Sequence, residues 1–340
     1  MPEKKLVSIL IVNWNGLDYL KNCLLTIAKI DYSNYEIVIF DNGSTDGSVE
    51  FAREYYPHAK LIENNSNIGF VGGNNEGYKY CRGEYILFLN NDTLVEKDFL
   101  DALVAKIESS DKIGGVQPKL LKFDQETIDG AGSYLTNYGF LYHYGYREKD
   151  GQKFKQGKKI FSVKGAAMMF KREVLEKVGL FDPDYFAYFE ETDLCWRVWL
   201  AGYEIFYVPA SVVYHKAGGT TENDMDFVNS LICFHSFKNR ISSLIKNLSW
   251  FNFIIIFPVH IFICIFVSFD LLYKGMSRNF FAVWRAMGWN ILNIGKTLRK
   301  RKIVQKEIRK ISDAKLFPII KKNPGLSYFL NTIKLLIARK

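Results

Sequence analysis

The sequence predicts an α/β fold built on a parallel sheet, followed by a helical C-terminal region. Short apolar segments rich in β-branched residues alternate with segments of helical periodicity between residues 6 and 89. These apolar segments lack the alternation of apolar and polar residues that marks a sheet with one face in water. Strands that alternate with helices in this way are typical of a parallel sheet covered on both faces.

The elements follow from local patterns in chain order. The predicted strands are residues 6–12, 36–40, 60–63 and 85–89, with 162–170 and 204–208 in a less regular middle segment. The predicted helices are residues 17–27, 49–56, 73–81 and 191–200.

The last third of the chain changes character. Residues 251–273 are nearly all apolar, but Pro258 and His260 interrupt the run 253–269, which is at the lower length limit for a membrane span. An amphipathic segment at 280–298, a basic run at 299–302 and a second apolar stretch at 326–338 follow. We therefore divide the chain into a domain at 1–245 and an apolar, basic helical region at 246–340.

The charge distribution indicates how that helical region meets a membrane. Residues 274–340 carry a net charge of +15, whereas the rest of the chain carries −6. A true span would separate an internal domain from a tail that also prefers the inner side. We expect a peripheral or re-entrant segment on an anionic membrane surface. A buried core helix is the alternative.

Composition excludes several classes of protein. Charged residues at 24% and aromatic residues at 16% exclude a disordered chain, and eight Pro with 25 Gly exclude collagen and low-complexity classes. Five scattered Cys without a C-x-x-C pair argue against a disulfide framework or a zinc ribbon. The N-terminal apolar run is too short for a signal peptide, so we expect the domain to stay in the cytoplasm. Cations cluster beside apolar helices rather than across an aromatic platform, so we expect no nucleic acid partner.

Three predicted strands end in polar residues. The ends are Asn13-Trp14-Asn15, Asp41-Asn42-Gly43 and Asn90-Asn91-Asp92. In parallel α/β sheets ligands bind beyond the carboxyl ends of the strands. Three such ends predict a ligand rich in hydrogen-bonding groups, although Asn and Asp also form ordinary turns.

These ends belong to a longer series of motifs: ILIVNWNG, EIVIFDNGSTDGS, NSNIGFVGGNNEG, YILFLNNDT, VKGAAMMFKR, GLFDPDYFAYFEETDLCWRVWLAGY and YVPASVVYH. From residue 6 to about 245 the series resembles the family 2 glycosyltransferases of GT-A fold, in the branch with rhamnosyltransferases and galactofuranosyltransferases. The resemblance implies a Rossmann-like, mixed, mostly parallel sheet. It also implies an inverting transfer of a sugar from a nucleotide diphosphate donor.

The resemblance implies which residues bind the nucleotide: Val12, Asn13, Asn15, Asp41, Asn67, Gly69, Asn75, Asn91 and Asp92. An Asp41 carboxylate can accept from a pyrimidine N3–H or a ribose hydroxyl, or simply stabilise a helix N-terminus. The run GFVGGNNEG is not a dinucleotide fingerprint and matches the family loop after the third strand.

The resemblance also implies a metal. Asp92 stands where the family has its D-x-D-like motif, here with one acid, and His215 matches a family metal ligand. A carboxylate, an imidazole and phosphate oxygens suit Mn²⁺ or Mg²⁺. The ion would neutralise charge on the departing nucleotide diphosphate.

The acidic run Glu190-Glu191-Thr192-Asp193 carries the expected base. Inverting transfer needs one carboxylate to accept the proton of the attacking hydroxyl. The family pattern is Glu-Asp-x-Asp, so by register Glu191 is the base, with Asp193 and Glu190 left open. A solvated acidic helix start is the alternative. Lys164, Gly165, Ala166 and Glu190 are the expected substrate contacts.

The expected function is transfer of a hexose or deoxyhexose from a UDP- or dTDP-sugar, with dTDP-rhamnose as one donor. The expected acceptor is a growing, lipid-linked glycan at the cytoplasmic face of the cell membrane. Two alternatives remain: a catalytically silent, nucleotide-binding membrane scaffold, and a sugar-phosphate nucleotidyltransferase. The second needs no acceptor base, so the acidic run argues against it.

Overall fold

A computed structural model describes residues 4–216 and 225–325, with side chains from residue 230 in the second range. The predicted apolar stretch 326–338 lies outside these residues. The strands are β1 Val7–Asn13, β2 Tyr35–Asp41, β3 Lys60–Glu63, β4 Tyr85–Asn90, β5 Thr93–Val95, β6 Ile113–Lys122, β7 Ile128–Gly130, β8 Ser133–Leu135, β9 Leu141–His143, β10 Lys158–Lys159, β11 Ala167–Lys171 and β12 Glu204–His215. The helices are α1 Leu17–Ile27, α2 Ser48–Tyr55, α3 Gly69–Tyr78, α4 Phe99–Glu108, α5 Arg172–Val178, α6 Glu190–Leu200, α7 Met225–Asn247, α8 Trp250–Tyr273, α9 Ser277–Leu292, α10 Ile294–Ile303 and α11 Asp313–Ile320.

The main sheet is mixed, as expected. Among the described residues its order is β10-β12-β6-β11-β4-β1-β2-β3, with β5 paired to β12 and β7 paired to β6. Strands β1, β2, β3 and β4 are parallel, and β6 and β12 run in the same direction. The predicted mixed, mostly parallel α/β fold is therefore confirmed. Because six strands share one direction, their carboxyl ends meet at one edge of the sheet.

Strand β12 is longer than predicted. The sequence analysis predicted a strand that ends at Val208. In the structure the chain passes Pro209 through a bulge, where the register against β6 shifts between Val208 and Val212. The strand then continues to His215, which brings that residue to the edge where the other strand ends meet.

Helix α3 includes glycines that the sequence analysis assigned to a loop. The helix begins at Gly69 rather than at Gly73. A Cβ at Gly73 would lie 2.7 Å from Val12 Cγ1, and one at Gly77 would lie 2.6 Å from Leu10 Cδ1. The glycines therefore allow α3 to pack directly on β1, which outweighs their low helix propensity.

The C-terminal helices pack against the α/β domain. Val304, Ile308, Leu316 and Ile320 belong to the same buried cluster as residues of α6, such as Trp196. Helix α7 runs through the predicted boundary at residue 245. The described part of the tail therefore shares a hydrophobic core with the α/β domain. The division at residue 245 into two separate regions stays a prediction.

Helix α8 presents an apolar face to the outside. By length and composition it is the one described helix that could cross a membrane, and most of it faces away from the protein. Its buried stripe consists of Ile256, His260, Cys264 and Ser268. Phe262 is 70% exposed and Phe266 is 67% exposed. Exposed apolar surface of this extent marks an interaction site.

Candidate functional site

Three strand ends are joined by side-chain hydrogen bonds at one edge of the sheet. Asn13 Nδ2 donates to Asp41 Oδ2 over 3.1 Å. Asn91 Nδ2 donates to Asn13 Oδ1 over 2.7 Å. A Cβ at Gly16 would lie 2.3 Å from Asn91 Nδ2, so a larger residue there would displace this amide. The sheet register therefore brings together Asn13, Asp41 and Asn91, all predicted from the sequence.

Asn15 and Asp41 also shape the loops that follow these strands. Asp41 Oδ1 accepts from the backbone amides of Gly43 and Ser44, at 3.0 and 2.7 Å. Asn15 has a φ of 46°, and its Oδ1 accepts from the Thr45 amide over 2.8 Å. These bonds tie the loop after β1 to the loop after β2. The two loops form one polar wall at the strand ends.

Trp14 is a feature of this wall that the sequence analysis missed. It lies between Asn13 and Asn15 and is 42% exposed. Val12, by contrast, packs inward against Gly73 of α3. An exposed aromatic ring beside hydrogen-bonding side chains is suited to stack on a planar base. A tryptophan within an otherwise polar strand end was the signal that could have identified it.

The residues predicted from the GFVGGNNEG motif face the loop that leads into α6. Gly69 has a φ of +81°, and a Cβ there would lie 2.5 Å from Phe186 Cδ2. Its amide donates to Asn67 Oδ1 over 2.8 Å. Asn75 Nδ2 donates to the Phe181 carbonyl over 2.9 Å. In the structure Gly69 and Asn75 hold the 181–189 loop.

Asp92 and His215 are brought together by strand pairing. Strand β5 runs antiparallel to β12, with Thr93 opposite His215, so the preceding Asp92 comes beside the imidazole. His215 Nε2 lies 3.4 Å from Asp92 Oδ1. That carboxylate oxygen is buried and has no hydrogen-bond partner. The two predicted metal ligands, Asp92 and His215, therefore lie side by side, with Asp92 Oδ1 facing His215 Nε2.

Asp129 on β7 completes this group and was missed by the sequence analysis. His215 Nδ1 donates to Asp129 Oδ2 over 2.7 Å. Lys164 Nζ lies 2.6 Å from Asp129 Oδ1. Burial lowers the pKa of His215, but the hydrogen bond to Asp129 and the nearby Asp92 carboxylate outweigh burial and raise it to about 9. No local motif marks Asp129, because only the β6–β7 pairing brings it to the histidine.

The Asp92–His215 pair fits a divalent cation. A histidine that donates one nitrogen to a carboxylate and presents the other is a common arrangement for a metal ligand. The unpartnered Asp92 oxygen supplies a second ligand of the right chemistry. Across residues 4–216 and 230–325, no group of three or more His, Cys, Asp or Glu side chains forms a site. The remaining ligands of an ion here would come from a bound diphosphate and water.

Glu190 and Glu191 begin α6 beside the Lys164–Ala166 segment. Glu190 is buried and its Oε2 has no partner, whereas Glu191 is partly exposed. Burial raises the pKa of Glu191 to about 7, and backbone amides with the Lys164 ammonium limit the rise. Burial and the Glu191 charge raise the pKa of Glu190 well above its ordinary value. A Cβ at Gly165 would still lie 3.8 Å from Glu190 Oε1, so glycine leaves space here.

The Lys164–Ala166 segment also connects to the strand ends. The Ala166 carbonyl accepts from the Asn90 amide over 2.9 Å. The Lys164 amide donates to Gln117 Oε1 over 2.7 Å. One segment therefore lies between the Asp92–His215 pair and the two glutamates.

Asp193 lies in a different environment from the two glutamates. It is fully buried and pairs with Arg197 at 3.1 Å and Lys246 at 3.0 Å. Ser243 and Asn247 donate to it over 3.0 and 2.8 Å. Burial opposes ionisation, but the Lys246 and Arg197 charges hold the pKa of Asp193 below its ordinary value. An anchored, enclosed carboxylate of this kind suits a structural role better than contact with an acceptor.

Helix α7 holds the 181–189 loop in an unusual conformation. Tyr188 and Phe189 have φ values of 69° and 71°, in the left-handed region. Non-glycine residues adopt this region at a cost of about 1–3 kcal/mol each. Asn239 Nδ2 donates to the carbonyls of Ala187 and Tyr188 over 2.9 and 2.6 Å. These two hydrogen bonds from Asn239 fix the backbone that directly precedes α6, and they therefore fix the position of Glu191.

Part of the basic tail is used inside the protein. Lys300 on α10 pairs with Asp182 and Asp184, and Lys296 pairs with Asp184. Lys246 also pairs with Asp182. The expectation that the tail's positive charge serves a membrane surface is therefore corrected for Lys296 and Lys300, because two loop acids neutralise them.

Comparisons with known proteins agree with the geometry. The profile of "Glycosyl transferase family 2" matches residues 8–179, just over half of the chain. The "Poly-beta-1,6-N-acetyl-D-glucosamine synthase" of Staphylococcus epidermidis is 24% identical over 213 residues, which cover 61% of this chain and 49% of that protein. The "Low-salt glycan biosynthesis hexosyltransferase Agl10" of Haloferax volcanii is 26% identical and covers 56% of this chain and 61% of its own length. The first of these relatives is thus matched over about half its length.

Two solved structures share the fold. GalNAc-T7, solved with UDP, GalNAc and Mn²⁺, has a TM-score of 0.57 at 18% identity, covering 72% of this chain and 48% of its own. The mannosyltransferase PcManGT of Pyrobaculum calidifontis, solved with GDP-Man and Mn²⁺, has a TM-score of 0.54 at 17% identity, covering 89% and 83%. At these identities the likeness concerns the fold alone. The joined strand ends, the motif series and the profile match together establish that this chain belongs to glycosyltransferase family 2.

Proposed function

We propose that the protein is a metal-dependent, inverting glycosyltransferase that uses a UDP- or dTDP-sugar. A growing, lipid-linked glycan is its acceptor, in polysaccharide or cell-wall assembly. The observation that carries the proposal is the position of the Lys164–Ala166 segment. Lys164 contacts Asp129 beside the Asp92–His215 pair, and its charge also limits the rise in the pKa of Glu191 that burial causes. A donor diphosphate bound at Asp92 and His215 and an acceptor hydroxyl beside Glu191 would therefore both lie next to the Lys164–Ala166 segment.

Each group has a chemical task in this proposal. Asn13, Asp41 and Asn91 bind the nucleotide at the strand ends. Asp92 and His215 would hold Mn²⁺ or Mg²⁺, which when bound supplies positive charge to the leaving diphosphate. The structural relatives solved with Mn²⁺ support that choice of ion.

Glu191 accepts the proton of the acceptor hydroxyl. A pKa of about 7 suits this task, because the carboxylate is then both populated and basic near neutral pH. A single carboxylate that activates the acceptor, without a covalent intermediate, leads to direct displacement at the anomeric carbon. Direct displacement inverts the configuration of that carbon. Glu190 stays protonated beside it and contributes no competing charge.

The membrane part of the proposal comes from α8 and its contacts. His260, near the middle of α8, donates from Nδ1 to the Tyr138 carbonyl over 2.8 Å. A helix that spanned the bilayer would carry this loop of the α/β domain into hydrocarbon, where its backbone groups would be costly. We therefore propose that α8 lies in the plane of the membrane surface, at its cytoplasmic face, with Phe262 and Phe266 in the lipid.

The test is turnover of a panel of nucleotide sugars by the full chain in detergent, with Mn²⁺ or with EDTA. Metal-dependent release of UDP or dTDP from one donor is the expected result, and it names the sugar. Glu191→Gln is expected to lose about 10²–10⁴-fold in rate. Glu173→Gln, an exposed acid on α5, is the matched control and should retain the wild-type rate.

Other outcomes would change the proposal. An anomeric configuration retained in the product, measured by NMR, would refute the inverting mechanism. Tight metal-dependent nucleotide binding without turnover, across varied acceptors, would indicate the silent scaffold instead. The absence of nucleotide binding would refute the proposal as a whole.

A further inference from the structure

Arg240 on α7 occupies the junction between the α/β domain and α8. Its guanidinium carbon lies 4.8 Å from the ring centroid of Phe140 and 5.3 Å from that of Phe189. Phe189 directly precedes Glu190 at the start of α6. Phe140 packs against His260 of α8, with ring centroids 4.5 Å apart and the rings tilted by 35°. The arginine therefore lies between the start of the base-carrying helix and the apolar helix.

This arginine lacks an anionic partner. Its Nε is buried without a hydrogen-bond acceptor. Across residues 4–216 and 230–325, no carboxylate pairs with it and no acceptor receives a hydrogen bond from it. Burial lowers its pKa, but arginine stays protonated in proteins. Among the described residues, the positive charge is therefore compensated only by aromatic rings.

The other buried cations of the described residues all have acceptors: some pair with carboxylates, whereas Lys238 and Arg301 donate to backbone carbonyls. Arg197 bonds Asp193 and the carbonyl of Gly179, and Lys246 pairs with two aspartates. Arg309 pairs with Asp313. Aromatic faces attract a guanidinium but compensate burial less well than a carboxylate does. Arg240 is thus an available binding group for an anion.

Its position favours an anion of the acceptor over one of the donor. The donor diphosphate is assigned to Asp92, directly before β5, and His215, at the end of β12, both at the edge of the sheet. Arg240 lies instead where α7 and α8 meet, on the side where the apolar face begins. A guanidinium can bind phosphate oxygens through two parallel N–H donors.

We propose that Arg240 binds the phosphate or diphosphate that links the acceptor glycan to its lipid. The lipid chain would then continue along the apolar face of α8, and the glycan would extend past Phe189 toward Glu191. This inference rests on the proposed function, since it names a residue that selects that function's acceptor. It assigns Arg240 a role in acceptor binding and none in donor binding.

The test is binding of farnesyl diphosphate to the full chain in detergent with EDTA and saturating UDP. Calorimetry of the wild type and of Arg240→Gln gives the two affinities. Loss of a charged hydrogen-bonding partner predicts weakening of about tenfold or more in the variant. Farnesol, which has no phosphate, should bind both proteins equally. Arg285→Gln is the control, because Arg285 also lies over a ring, that of Phe234, but is exposed.

The thermal stability of Arg240→Gln shows whether Arg240 serves to bind a ligand or only to pack against the aromatic rings. Removing an uncompensated charge should leave the Tm of Arg240→Gln unchanged or raised when no ligand is present. A lowered Tm together with unchanged farnesyl diphosphate affinity would overturn the proposal. Equal binding of inorganic pyrophosphate and farnesyl diphosphate, both lost in the variant, would overturn the lipid-linked source of the phosphate.

The rate of donor hydrolysis, measured on the same preparations, distinguishes a failure of the Arg240 assignment from a failure of the proposed function. Arg240→Gln should release nucleotide from the donor at the wild-type rate in the absence of acceptor. If the wild type turns over donor but does not bind farnesyl diphosphate, only the assignment of Arg240 fails. If the wild type neither binds nor turns over a donor, the proposed function fails first.

Discussion

Replacing Asp193 by asparagine should unfold the protein more easily without abolishing catalysis. The substitution leaves Arg197 and Lys246 buried beside a neutral amide, where they had a carboxylate at 3.1 and 3.0 Å. Breaking a buried ion pair by removing one partner costs about 3–5 kcal/mol. At roughly 2–4 °C per kcal/mol, the Tm should fall by about 6–20 °C.

The assay compares Asp193→Asn with Glu191→Gln in thermal melts and in sugar transfer at a temperature where both are folded. Glu191→Gln should melt close to the wild type, since burial already favours the neutral form of that side chain. Asp193→Asn should transfer sugar at a rate per folded molecule within a few-fold of the wild type. A variant Asp193→Asn that melts like the wild type and transfers no sugar would refute this reasoning and make Asp193 the base.

Three further predictions concern pH, metal and membrane. The value of kcat/KM should rise with pH through a midpoint near 7, because Glu191 must lose its proton before it can accept another; a flat profile from pH 5 to 9 would contradict this. Asp129→Asn should weaken Mn²⁺ affinity about 10–100-fold in a direct titration, since it frees the His215 ring. Glu126→Gln, exposed on the same hairpin, should bind Mn²⁺ like the wild type. Phe262→Glu should lower binding to vesicles of anionic lipid about tenfold or more, with an unchanged Tm because the side chain is 70% exposed; unchanged vesicle binding would exclude α8 as the docking face.

Local patterns predicted much of the N-terminal half of the fold. Residues 6–12 and 85–89 were predicted as buried strands and form β1 and β4 within one residue at each end. They could be recognised because a continuous apolar run has few alternatives to a strand covered on both faces. Strand β6 was missed, and the start of α3 was placed at Gly73 instead of Gly69, because both depend on packing against other elements.

The residues of the candidate site likewise fall into those that local sequence patterns predicted and those that only packing brought together. Asn13, Asp41 and Asn91 were identified because each ends a predicted strand. Asp129 has no such signal, since its role arises when β7 pairs with β6 and reaches His215. Whether an acid in the Glu190–Asp193 run is exposed or anchored was likewise open in the sequence.

The sequence by itself determined the class of protein and predicted the residues of its site. Strand and helix periodicity, and motifs at the strand ends, depend on neighbours a few residues away, so one chain is enough to identify them. Only the tertiary structure decided that Asp193 is enclosed by ion pairs, that Lys296 and Lys300 pair with loop acids, and that Arg240 has no anionic partner in the described chain. These properties depend on burial and on partners far along the chain, such as Lys246 for Asp193, and burial exists only once the elements are packed.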